Sequence, residues 1–487
     1  MHGSGVAADT TQASKMVSAS STAREAAEID REPSRTEFVV SCKRTRSSVF
    51  SRTCRSSQNT QETGSGHTIE LDLHQDPFAM HPERTNTLIN LYFDYFNASQ
   101  YAMFPKLAFL RWLRVSPNKR AGEIKVIYAM LVTALCITGQ DCAPYADACA
   151  DTARRCEAIK SGSCDLCTVQ AFPLVGLCDM HKTNGKAGSE SVGLAFQMLK
   201  SLQYDTENGG RVGAYSVARD TPPFGLSLPQ LAECRRRTFW AAYLVSRLSC
   251  QLSVPLPFLE TGQSSIRLPM AEDCYEKGCV SDAPFFNNGI IDPSSTVLST
   301  KTNVSSMAWF ALVVTIWGDI GTFARSSLHL PSDRYEHEYR NFHDAIRRAL
   351  QFWEMTLPAD LALGKANEQD DELCQRKELV VSMHILCYFC SIKMHSCMLS
   401  DKLPDLAIPV SQESSRYASE LLQYLDSTFF AAIPSTSAGI GRSAARTRFS
   451  FSPMLAMIRL KETIAHMHGA DQMQQIIHFA NYAINPL

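Results

Sequence analysis

Apolar residues recur at helical spacing over most of this chain. Leu88, Leu91, Tyr92, Tyr95 and Phe96 fall at i, i+3, i+4, i+7 and i+8, behind Pro82, a residue suited to a first helical turn. Phe104-Pro105 breaks that run, and a short helix with Phe109, Leu110 and Trp112 follows. Ile124, Ile127, Tyr128, Leu131 and Leu135 predict another helix. Tyr145, Cys149, Thr152 and Cys156 predict one more, with thiols serving as small apolar groups. Residues 165–180 and 189–203 read as a helix pair, the second packing through Val192, Ala195, Leu199 and Leu202. Stretches rich in Gly, Asp, Pro and Asn predict loops at 204–226 and about 271–303. Helices resume at Ser305. Tyr335, Tyr339, Phe342, Ile346, Leu350 and Trp353 line one, and Leu379, Met383, Leu386, Cys390, Met394 and Cys397 another. No strand-like alternation of any length and no internal repeat emerges, so the expectation is all-α, a large multi-helix array.

Residues 227–257, SLPQLAECRRRTFWAAYLVSRLSCQLSVPLP, form the centre of that pattern. Ser227-x-x-Gln230 has the spacing of a capping box, in which a hydroxyl and an amide satisfy free N–H groups at a helix start. Pro229 falls in the first turn, where its missing N–H costs nothing. Trp240, Tyr243, Leu244, Leu248 and Gln251 then share a face, and Pro255 and Pro257 stop the run. Three consecutive cations, Arg235, Arg236 and Arg237, fan round the helix. One reading is a charged surface for a partner or DNA. The other is structural, with the arginines pairing to carboxylates of neighbouring helices and stacking on aromatics such as Trp240. Successive residues cannot share one helix face, which favours the structural reading.

This stretch resembles the most recognisable segment of the fungal-specific transcription factor regulatory (middle homology) domain of zinc binuclear cluster regulators, including the xylanolytic-activator type. The matching residues are Glu233, Arg235 to Arg237, Phe239-Trp240, Tyr243 and Arg247. Ser246 stands where the family often has Asp, and Ser253-Val254-Pro255 replaces its Gly-Arg-Pro exit. LINLYFDYFNASQYAMFPKLAFLRWL resembles the opening of the same domain, Thr168-Val169-Gln170 through Leu202 its glycine-joined helix pair, and Ile266-Arg267-Leu268-Pro269 its short segment after the arginines. The resemblance covers residues 85 to about 430. It implies an all-helical regulatory module without catalytic residues, a nuclear location and control of transcription. It also implies DNA as a partner, directly or through a partner regulator, homo- or heterodimers, and contact with the transcription machinery.

The chain has 487 residues and a formal charge of -2. That near-zero balance excludes a surface that is basic throughout, so any DNA contact is local. Residues 1–66 are rich in Ser, Thr, Ala and Arg and poor in aromatics, which predicts a disordered tail. Within it, CKRTRSSVFSRTCR at 42–55 carries Arg44, Arg46, Arg52 and Arg55 without an acidic residue. This is either a nuclear-import or phosphate-contacting patch or a solvated basic linker. The helical domain is expected at 67–430, and a low-complexity loop with divergent C-terminal helices at 431–487. Residues 1–30 hold no apolar signal core, so the 17 cysteines are expected as reduced thiols. The apolar run 307–317 is far shorter than the roughly 18 residues of a spanning helix. It reads as a buried core helix, and no membrane partner is expected.

The zinc cluster that the family implies needs six cysteines, as Cys-x2-Cys pairs each followed at a fixed interval by a third. Only Cys42 and Cys54 precede residue 130, too far apart to form such a pair, so the cluster, and with it any cofactor, is expected to be missing from this chain. Cys387-x2-Cys390-x6-Cys397 has the spacing of half a cluster, but inside an apolar helix where core packing is the better reading. Cys164, Cys167, Cys178 and His181 are a formal set of four ligands that overlaps a predicted helix, and core packing is favoured there too. Enzyme signatures fail at the residue their mechanism requires. His181 replaces the glycine of a phosphate loop beginning at Gly176, and Ser189-Glu190-Ser191-Val192-Gly193 lacks the first glycine of a nucleophile elbow. His337-Glu338 and His343 miss the i, i+4 pairing of a zinc-protease helix. No catalytic, cofactor-binding or metal residue is assigned.

Overall fold

A computed structural model describes residues 75–138, 143–154, 165–181, 185–207, 222–248, 266–286, 304–362 and 371–399, with single positions as far as 423. The tail carrying Arg44, Arg46, Arg52 and Arg55 and the region 431–487 lie outside the described residues. The described residues fall within one compact unit, 67–487.

Among the described residues the fold is all-α. Helices α1 (Pro77–Met80), α2 (Pro82–Leu91), α3 (Lys106–Val115), α4 (Ala121–Thr138) and α5 (Ala143–Arg154) come first. Next are α6 (Leu166–His181), α7 (Gly185–Ser201), α8 (Leu228–Leu248) and α9 (Glu272–Lys277). The last three are α10 (Ser306–Ser326), α11 (Ser332–Thr356) and α12 (Asp371–Ser396). Helices α4, α6 and α7 stack in sequence, α8 leans on α6 and α7, and α10 joins α8 to α11 and α12. The periodic residues face this shared core: Ile127, Tyr128, Leu131, Leu199, Trp353 and Met383 are all buried.

Three local departures from the expected pattern have physical causes. The helix after Pro82 changes at Tyr92–Asn97 to a π-turn, closed by Ala98 N–H donating to Phe93 O at 3.1 Å. One extra residue per turn rotates the inward face, so Ile89 and Phe93 are buried while Leu91 and Tyr95 are half-buried. The loop expected at 271–303 contains α9, which opens on Glu272 and Asp273 and ends on Gly278, a favourable polarity for a short helix. A two-residue antiparallel ladder, β1 (Ile266–Arg267) with β2 (Phe285–Phe286), crosses the same region.

Helix α10 contains the predicted apolar run and is longer than that run. Its extended form, Ser306–His329, is long and apolar enough to cross a membrane by length and composition. Here it is the central core helix: Met307 to Trp317 are buried, and Trp353 Nε1 of α11 donates to its Trp309 O at 3.0 Å. Ser305 caps its start by accepting from Met307 N at 3.0 Å.

Candidate functional site

Helix α8 begins as its sequence dictates. Ser227 N–H donates to Gln230 Oε1 at 3.1 Å, and Gln230 N–H donates back to Ser227 Oγ at 3.4 Å. The Gln230 amide also reaches Glu276 O of α9 at 3.0 Å, so the cap fastens two helices. Beyond the first turn α8 is buried on nearly every side. Glu233, Arg236, Arg237, Trp240, Tyr243 and Arg247 are all inside. Trp240 Nε1 donates to Arg267 O at 2.8 Å while its ring meets Phe286 edge-on at 5.0 Å.

A carboxylate buried this deeply needs compensation, and Glu233 has it from three donors. It accepts from Arg237 Nε at 2.9 Å, from Arg236 Nη1, and from Met270 N–H at 3.0 Å. Arg237 spends its remaining donors on Ala102 O at 3.1 Å and Met270 O at 2.6 Å, with its face 4.6 Å from the Tyr275 ring. Tyr275 in turn donates to Met103 O at 2.9 Å. Arg236 forks onto Glu207, with Nε and Nη2 at 2.8 and 2.7 Å, and Glu207 also accepts Arg267 N–H at 2.8 Å. Arg235 lies 5.5 Å above the Tyr204 ring.

Burial alone would lower both guanidinium pKa values, but the carboxylates outweigh it and hold the protons more tightly than usual. Burial alone would raise the Glu207 carboxyl, yet the Arg236 fork outweighs that and holds it below the usual range. Three consecutive arginines, each about 100° further round the helix, thus tie α8 to the segment after α7, through Arg235 and Arg236, and to Ala102, Met270 and α9, through Arg237. This is a fastening device, and its net worth lies in fixing one arrangement more than in added stability. The sequence reading needs one correction. The arginines stack on Tyr204 and Tyr275, not Trp240; of their carboxylates, Glu272 belongs to the neighbouring helix α9 as expected, 3.6 Å from Arg237 Nη2, whereas Glu233 comes from α8 itself and Glu207 from the segment after α7.

The second half of α8 meets α10. Tyr243 and Thr315 share a hydroxyl hydrogen bond of 2.9 Å, and Arg247 Nη1 lies 3.3 Å from Asp319 Oδ1. Burial pushes the Asp319 carboxyl up to about 6 despite Arg247 beside it. Ser246, where the family pattern often has Asp, is buried.

The thiols with half-cluster spacing lie in the core. Cys387 faces Glu354 at 3.5 Å and Cys390 faces Val313 O at 3.9 Å; both are buried on α12, and Cys397 is buried just past its end. Burial raises the Cys387 thiol well above its usual range and Cys397 to about 11, which opposes the thiolate a metal needs. Cys167 and Cys178 are buried in α6, Cys178 against Thr133 at 3.6 Å. Cys164 and the His181 side chain lie outside the described residues. Among the described residues no group of three His, Cys, Asp or Glu is placed to hold a metal. The thiols described here therefore do not fit the binuclear zinc cluster. Of the remaining signatures, His337 contacts Asn341, and His343 packs on His395 of α12 at 5.2 Å.

Sequence reasoning missed Phe224. It sits in a 3-10 turn at φ 59°, ψ 20°, and plugs the aromatic cluster of Phe104, Phe109 and Trp112. It also missed Glu207 and Tyr275, whose roles depend on remote partners that leave no periodic signal.

The helical array, its central α8 and the aromatic–arginine segment define a regulatory module. The chain matches the fungal specific transcription factor domain over residues 89–354, more than half of its length, and belongs to that family. An uncharacterized transcriptional regulatory protein of Schizosaccharomyces pombe is 26% identical over 211 residues, which span 42% of this chain and 21% of that protein. The chain thus covers about a fifth of that relative's length. No solved structure matches.

Proposed function

We propose that this chain acts in the nucleus as a regulator whose helical domain presents interaction surfaces to the transcription machinery and reaches DNA without a zinc cluster of its own. The observation that carries this reading is α8, whose Glu233–Arg236–Arg237 cluster locks the matched family segment into the centre of the array. Catalysis is no part of this reading. The basic patch Arg44, Arg46, Arg52 and Arg55 is the candidate for import or local phosphate contact.

A second reading follows from the same cluster. Arg236 and Arg237 are consumed inside the fold, so that part of the segment leaves no cation for a phosphate. On this reading the chain is a cluster-free interaction protein that dimerises with full-length zinc cluster regulators or antagonises them.

Gel-shift titration at physiological salt, with and without a zinc-cluster regulator, separates the two. The first reading expects weak binding by the chain alone that is lost when the four tail arginines become alanine. The second expects no binding alone and a changed shift only with the partner. Tight binding alone that survives the arginine substitutions overturns both. Loss of nuclear accumulation in the same variant supports the import role of the patch, and unchanged localisation ends it.

A further inference from the structure

We propose that Cys274 and Cys279 are a peroxide-oxidisable dithiol at the C-terminus of α9, a modification site whose oxidised form is a disulfide within the chain. The argument begins with the backbone. Helix α9 ends on Gly278 in the left-handed conformation, φ 72° and ψ 37°, which a side chain would disfavour. Cys279 N–H donates to Cys274 O at 2.9 Å, and Gly278 N–H donates to Tyr275 O at 3.0 Å. These two bonds define a Schellman turn, in which the residue beyond the glycine folds back onto the residue five before it. The usual pair in those two places is apolar; here both are cysteine. The direct Cys279 N–H to Cys274 O bond brings the two backbones into contact, and a disulfide needs such close approach, with Cα atoms less than about 7 Å apart. Burial raises the Cys274 thiol above its usual range, and Asp273 and Cys279 act in the same direction.

Access separates this pair from the other described thiols. Cys279 is exposed and Cys274 half-buried, whereas every other described cysteine is buried. Peroxide therefore meets Cys279 first. The Cys279 thiol gives its proton to solvent and the thiolate attacks one peroxide oxygen; the O–O bond breaks, giving Cys279 sulfenic acid, and the departing hydroxide takes up that proton as one water. The Cys274 sulfur, losing its proton, attacks the Cys279 sulfur; the S–S bond forms, and the departing hydroxide takes that proton as a second water. Two thiols and one hydrogen peroxide become one disulfide and two waters, and a small-thiol reductant reverses it.

The position gives the site reach. Glu276 of α9 accepts from Leu107 N–H at the start of α3 at 3.2 Å, Gln230 of α8 donates to Glu276 O, and Tyr275 stacks on Arg237. Oxidation thus staples a turn that borders the arginine cluster. The inference stands on the turn itself and does not depend on the proposed regulatory role.

The test treats the reduced full-length chain with hydrogen peroxide, alkylates the remaining thiols and digests it with trypsin under non-reducing conditions. Cleavage after Lys277 puts the two cysteines on different peptides. The expected result is that these peptides stay joined until dithiothreitol is added, with the alkylatable thiol lost in equal measure from both positions. Cys279→Ser, at an exposed site, should leave Cys274 alkylatable in full after the same treatment. Separate alkylated peptides, Cys279 sulfinic acid beside an intact Cys274, or oxidation of Cys274 undiminished in Cys279→Ser would each overturn the proposal.

Discussion

Gly318 of α10 stands directly against the Arg247 side chain of α8. A Cβ at position 318 would meet Arg247 Cζ at 3.0 Å, with Nη1 and Cδ closer still. Arg247 cannot swing clear without leaving Asp319, 3.3 Å away, and the Tyr243 ring, 5.4 Å away. One missing methyl group therefore permits the crossing of the two central helices.

Gly318→Ala is accordingly expected to destabilise the fold by about 1–3 kcal/mol, the usual cost of overpacking. Arg247→Ala should be harmful alone through loss of the Asp319 and Tyr243 contacts. Combined with Gly318→Ala it removes the clash, so the double variant should be more stable than the sum of the singles by at least about 0.5 kcal/mol. Denaturant unfolding of the four proteins measures this, and strict additivity would rule out the close contact as the cause.

The Glu233–Arg237 pair predicts an asymmetry. Arg237→Ala leaves Glu233 buried with a lost partner and strands Ala102 O and Met270 O. A cost of about 3–5 kcal/mol is expected. Arg237→Lys keeps the charge but cannot reproduce a fork that meets a carboxylate and two carbonyls, so it should still lose more than half of that. Glu233→Gln with Arg237→Met, which removes both charges at similar volume, should recover much of the loss. Equal stability of Arg237→Ala and wild type in urea would mean the cluster does not hold α8.

Much of this architecture is legible in the sequence, and what is not shares a common cause. The Ser227–Gln230 cap is readable because both partners lie within four residues. The inward faces of α4 and α12 are readable because one period governs them. The π-turn at Tyr92–Asn97 is not, since nothing in the order of residues marks an inserted i→i+5 bond. The pairing of Arg236 with Glu207 is also hidden. Twenty-nine positions separate them, and only the folded path of the segment after α7 brings them together. The sequence does show that three adjacent arginines cannot share one face, and that constraint is why their structural role could be anticipated while their partners could not.

Half-buried Asp319 and buried His395 should give opposite pH slopes over overlapping ranges. Asp319 is raised by burial to about 6 in the folded chain. The folded state then binds the extra proton, so this contribution is full below about pH 4 and is lost as pH rises through 6. His395 is lowered by burial to about 4, against the opposing charge of Glu413, with His343, Arg347 and Arg416 acting in the same direction as burial. Here the unfolded state binds the extra proton, so the contribution is full above about pH 6.5 and is lost as pH falls toward 4. Asp319→Asn should remove the first slope and His395→Gln the second, each by about 1–3 kcal/mol across its window. Thermal unfolding from pH 4 to 7 reads both; a variant whose profile parallels wild type eliminates its group.

Phe224 offers a test in which the usual order of substitutions reverses. Its ring lies 5.1 to 5.6 Å from those of Trp112, Phe109 and Phe104, and its N–H donates to Glu123 Oε1 at 3.1 Å. Its φ of 59° is a left-handed conformation that a bulky residue adopts only when its surroundings hold it there. Truncation to alanine discards the ring and keeps the strain, for an expected loss of about 3–5 kcal/mol. Truncation to glycine discards the ring and also the Cβ clash that makes this conformation costly, about 1 kcal/mol. In an ordinary turn or helix glycine is the worse of the two because the unfolded chain gains freedom. Here Phe224→Gly should unfold at a higher denaturant concentration than Phe224→Ala. The opposite order would show that the backbone at 224 relaxes to negative φ once the ring is gone, so that ring packing alone imposes the turn.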